Sequence, residues 1–179
     1  MTLSVRRSIA ALAVGAALVS AGCTVNRAET AAVVDGNVIT EGQLQVAIAQ
    51  MNSMDPALLQ EPLTPSGALT ALVQAPVILD HLADKGIVVS DTIATRETQD
   101  RGVARPSEDT LSIVRLATAI TAAQQSGQIT EADGAAITEQ MQALDVEVNP
   151  RYGAFAPESA SIQLTAPDWV TLADEAPAP

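Results

Sequence analysis

The 179-residue chain has one Phe, one Trp and one Tyr. Without aromatic bulk, a core must rest on Leu, Ile, Val, Met and alanine, which predicts a thin helical interior. Basic residues are scarce too, with nine Lys and Arg against 21 Asp and Glu, a net charge of −12. No basic cluster follows the first few residues, so the electrostatic footprint of phosphate-backbone binding is missing, which argues against a nucleic-acid partner. His81 is the sole histidine and Cys23 the sole cysteine, too few ligands for a zinc site. No G-x-S-x-G nucleophile turn, phosphate loop or dinucleotide fingerprint occurs either. The expectation is a protein without metal, cofactor or catalytic set.

What the chain does contain starts at its N-terminus. MTLSVRRSIAALAVGAALVSAGC carries two arginines and then an uncharged run from Ser8 to Gly22. That is the pattern of a secretory signal, too short and wrongly flanked for a membrane span. Val19-Ser20-Ala21-Gly22-Cys23 resembles the bacterial lipobox, in which small residues lead into an acylated cysteine. Residues 1–22 therefore read as a lipoprotein signal peptide, and Cys23 as a lipid attachment site carrying acyl chains of the palmitate class. Removing the signal takes away two arginines and no acid, so the mature domain is still more acidic and is not drawn to an anionic bilayer. Two or more acyl chains hold firmly where one gives only marginal binding. The implied location is the extracytoplasmic face of the cell membrane. Residues 23–30 form the lipidated cysteine and a polar link that spans at most about 25 Å when extended.

Past this link, AAVVDGNVI is a hairpin signal around Asp35-Gly36. Thr40, with Gln43 three residues on, opens a helix whose inner face is Leu44, Ala47, Ile48 and Met51. Thr64-Pro65 opens a second, strongly apolar helix containing Pro76 and ending at Gly86, the expected central helix. Ser90-Asp91 caps a short third helix ending near Gly102. Pro106-Ser107-Glu108-Asp109 opens a fourth, with Ile113, Leu116, Ala117 and Ile120 as its inner stripe. Thr130 caps a fifth, lined by Ile137, Met141 and Leu144. A late strand, Val146-Glu147-Val148, then stops at Pro150. It needs a pairing partner, and the N-terminal hairpin is the only other strand signal. The fold class expected is mainly α, a helical domain with a small β-sheet formed by that hairpin and that strand. Tyr152 and Phe155 should fold back over it, and residues 156–179, rich in proline and acid, read as an extended tail with Trp169 as a docking point.

The segment AAVVDGNVITEGQLQVAIAQMN resembles the opening of the SurA N-terminal domain, the substrate-binding module of exported chaperones related to SurA and PrsA. APVILDHLADKGIVVSD and LDVEVNPRYGAF are similar to actinobacterial lipoproteins that carry this module alone. The resemblance covers residues 31–155 and implies closure of the N-terminal hairpin by a strand from the far end of the chain. It also implies holdase-like binding of unfolded or partly folded exported proteins. Relatives with prolyl isomerase activity carry a parvulin domain of about a hundred residues, for which no segment is left over here, so isomerase activity is not carried across. A structural lipoprotein that binds one dedicated folded envelope partner is the rival reading.

Met51 and Met54, followed by Leu58 and Leu59, are the candidate client-binding residues, because flexible methionines suit varied apolar partners. Packing is the competing and favoured reading for the same side chains. His81 reads as a helix residue at the surface or the edge of the core. ITEADGAAITEQ has a glycine where a calcium loop needs one, but Ile129 and Gln140 occupy the first and last ligand positions, so a helix N-cap is favoured.

Overall fold

The computed structural model describes residues 29–164. Its order is β1 (Thr30–Val34), β2 (Asn37–Thr40), α1 (Glu41–Asn52), α2 (Pro65–Asp84), α3 (Asp91–Asp100), α4 (Glu108–Ser126), α5 (Glu131–Gln142), β3 (Val146–Val148), a 3-10 turn (Pro150–Tyr152), β4 (Ala154–Ala156) and β5 (Ser161–Gln163). The domain is mainly α-helical with two small sheets.

In the first sheet β1 lies between β2 and β3, antiparallel to both. Asp35 and Gly36 both take positive φ (48° and 80°), which lets a two-residue turn match the strand twist. Cross-strand register places Val38, Val33 and Glu147 in one row and Ile39, Ala32 and Val148 in the next. Because strand side chains alternate faces, the second row packs on the core with Val34 and Val146, while Val38 and Glu147 stay exposed.

Each helix starts at an extended residue whose side-chain oxygen accepts a backbone N–H: Thr40, Thr64, Ser90, Ser107 and Thr130. Helix α2 continues through Pro76, whose ring lies on its exposed side. By length and composition α2 could cross a membrane. In the fold Leu69, Leu72, Val73 and Leu82 are buried, and the helix packs on α1, α4, α5, β1 and β5. The central position is shared with α4, which touches α1, α2 and α3. For that reason the buried surface of α4 is wider than the expected stripe. Val114, Ala119 and Ala123 are buried along with Ile113 and Leu116, whereas Ala117 and Ile120 are only half-buried.

The domain does not stop at Phe155. Strands β4 and β5 pair, and Ile162 buries against the main core. Its backbone N–H donates to Thr70 Oγ1 on α2 (2.9 Å), and Gln74 Nε2 donates to the Ala160 carbonyl (2.7 Å). Gly153, at φ 114°, permits this closure, since a Cβ there would collide with the Gln163 carbonyl. Packed structure thus continues past residue 155, through β5 to Gln163, into the stretch read from sequence as an extended tail. Short strands such as AFA and SIQ have no periodic length from which to be read. Trp169 and Cys23 lie outside the described residues.

Candidate functional site

The inner face of α1 ends with Met51, and the chain then turns through Met54. Both side chains are almost fully buried in the main core, at 4% and 5% exposure. That burial agrees with the packing reading of the two side chains: Met51 is on the inner face of α1, Met54 in the turn after it, and both fill space in the main core. Leu58 and Leu59 are half-buried and packed on the same core. The loop after Met54 is fastened from two sides. Asn52 donates through Nδ2 to the Leu63 carbonyl (3.0 Å) and accepts the Leu63 N–H at Oδ1 (2.7 Å). Arg101 Nη1 donates to the carbonyls of Pro56 (2.6 Å) and Ala57 (3.3 Å), and Asp55 N–H donates to the Arg101 carbonyl. What remains open here is a shallow cleft of Met51, Asn52, Ala57, Leu59, Gln60, Glu61 and Pro62. Of the four candidate residues, Met51 and Leu59 line it. Its lining mixes apolar side chains with an amide pair and one carboxylate, which suits an apolar side chain whose backbone stays in water.

A second cluster joins the last turn of α2 to the first turn of α5. Asp133 Oδ1 accepts from Lys85 Nζ (2.7 Å) and His81 Nε2 (3.0 Å). Its Oδ2 accepts the N–H (2.8 Å) and hydroxyl (2.7 Å) of Thr130. The Asp133 side chain is 7% exposed and that of His81 12%. Donation from Lys85 first, then Thr130 and His81, holds the carboxyl well below the usual carboxylate range. His81 thus lies at the edge of the core, and Thr130 with Asp133 forms a reciprocal capping box where a calcium loop was the discarded alternative. Every lone-pair direction of this carboxylate is engaged and the Thr130 hydroxyl is consumed as a cap, so the group is a clasp and not a poised base. Sequence reasoning placed Thr130 but missed Asp133. The available signals were the T-x-x-D spacing and His81 four residues before Lys85 on one helix face.

Gln50 was also missed, and no sequence pattern marks it. From α1 its Oε1 accepts the Ser107 N–H (2.9 Å) and the Thr110 hydroxyl (2.7 Å), and its Nε2 donates to the Arg105 carbonyl (3.0 Å). It thereby satisfies polar groups at the partly buried start of α4. Among the described residues, no group of three or more His, Cys, Asp or Glu side chains could hold a metal ion. Comparison with protein families, curated proteins and solved structures returns no match for this chain.

Proposed function

We propose that the chain is an exported lipoprotein, held through Cys23 on the extracytoplasmic face of the cell membrane. Its helical domain binds non-native exported proteins as a holdase-like assembly factor, without catalysis or isomerase activity. The observation that carries this reading is the lipobox-like run ending at Cys23, seven residues before β1. With so short a link, whatever the domain binds is met close to the bilayer. Support for the SurA-type relation comes from strand order, with the first strand paired to its hairpin partner on one side and to the late strand β3 on the other. With Met51 and Met54 buried, client contact moves to the open side of the cleft at Leu59, Gln60 and Pro62.

The test is suppression of aggregation of a chemically unfolded client by residues 24–179. Suppression that scales with dose is expected, and none at several-fold molar excess removes the holdase reading. The cleft is small, which favours the rival of one dedicated folded partner if suppression fails but a single envelope protein is retained. The anchor is tested separately. Cys23→Ser should abolish acylation, because a hydroxyl cannot replace the thiol as acceptor, and the protein should leave the membrane fraction. Equal membrane retention with unchanged mass sinks the lipoprotein proposal.

A further inference from the structure

Helix α5, like α3, is attached to the domain through only two buried residues, and its N-terminus is held by an ion pair. Of its twelve residues only Asp133 and Met141 are buried, and its principal packing partner is α2. Spacing of four places Ile137 and Met141 on the Asp133 face of α5, Met141 buried and Ile137 half-buried. The two ends of α5 are held differently. Beyond its C-terminus the chain is tied to the hairpin turn by backbone and side chain, with Asp35 N–H donating to the Asp145 carbonyl (2.8 Å) and Asp145 N–H to Asp35 Oδ1 (2.9 Å). The chain then enters β3, paired along β1. At the N-terminus the tie is the Asp133 clasp to Lys85 and His81, preceded by Gly127 in left-handed conformation (φ 62°) at the end of α4. Lys85 is 40% exposed, so water competes for its side of the clasp.

We propose that α5 is a strap that opens as a unit, fixed at Asp145 and released at the Asp133 clasp, while the β1–β2–β3 sheet and the α1–α2–α4 core stay closed. Few buried apolar contacts and one terminal polar tie are the conditions under which a segment opens below the global unfolding free energy. The groups that face Asp133 at the clasp are His81 from α2 and Lys85 at its C-cap, so opening trades one compact polar cluster for hydration of all three. It also uncovers Met141 and the half-buried Ile137. The strap stands independently of what the domain binds.

Amide hydrogen exchange of the detergent-solubilised full chain, read by mass spectrometry, tests it. Residues 131–142 should exchange at least about tenfold faster than the buried segments of α2 and α4. Lys85→Ala, which leaves the carboxylate bonded to Thr130 and His81, should accelerate residues 131–142 further and leave β1 and β3 unchanged. Asp133→Asn should do the same more strongly, and if it fails to fold the Lys85→Ala protein decides. Exchange of residues 131–142 in step with α2 and α4, or equal acceleration of every segment by Lys85→Ala, overturns the strap.

Discussion

At the hairpin end of the domain Ala31, Ala32, Leu44, Leu69 and Val73 are fully shielded from solvent beneath the pairing of β1 with β2 and β3. At the other end Leu82, Ala119 and Ala123 form a much smaller apolar cluster, and beside it a carboxylate meets two basic side chains. The difference follows from composition. With a single residue of each aromatic type, and Tyr152 spent near the sheet, the α2–α4–α5 end is packed with alanine and short aliphatic chains. Burial of that kind removes little area, so position there is set by directional polar contacts that water, salt and acid can weaken. One end is held by area and backbone pairing, the other by a clasp.

The largest effect should come from cutting away the closing strand. Ending the chain after Leu144 removes the pairing with β1 and the burial of Val146, Val148, Tyr152 and Ile162, and should destabilise by on the order of several kcal/mol. Ending it after Phe155 keeps the β1–β3 pairing and removes the end of β4, β5 with the buried Ile162, and the hydrogen bonds of Ala160 and Ile162 to α2, at about 2 kcal/mol. Thermal melts followed by circular dichroism rank the two. Next in size, Leu69→Ala should destabilise by about 3–5 kcal/mol in denaturant titrations, since its pocket is walled by sheet and helices, whereas Leu82→Ala in the thinner cluster should fall near about 2 kcal/mol. Equal values would erase the contrast between the ends. Smaller again, Thr130→Ala removes the cap of α5 and should cost about 1 kcal/mol.

The pH response sharpens the same contrast. Asp133 has its carboxyl held below the value of an unfolded aspartate, about 3.9, so its stabilisation is fully present above that pH and is lost as pH falls toward its folded value. The difference in melting temperature between wild type and Asp133→Asn should hold from pH 7 to about pH 5 and shrink as acid is added below about pH 4. A constant difference down to pH 2 would mean that the clasp does not depend on the ionised carboxylate.

Helix starts were legible because capping is local chemistry. Thr40, Thr64, Ser90, Ser107 and Thr130 each announce themselves within four residues of sequence, and each caps its helix in the fold. Contacts between distant segments were less legible. Gln50 meets Ser107 and Thr110 across more than fifty residues, and Ile162 meets Thr70 across more than ninety, with no pattern that links them beforehand. The methionines show the limit most clearly, because the flexibility that suits a binding surface equally suits a gap in a core, and only burial distinguishes the two.

The proposal that this domain accepts varied non-native chains at the cleft is tested most directly by photocrosslinking in cells, from Leu59 in the cleft and from exposed Val88 next to α3 as the control position. A broad ladder of adducts with exported proteins from Leu59, and little from Val88, is the expected result. A single discrete adduct, or the same pattern from both positions, contradicts it.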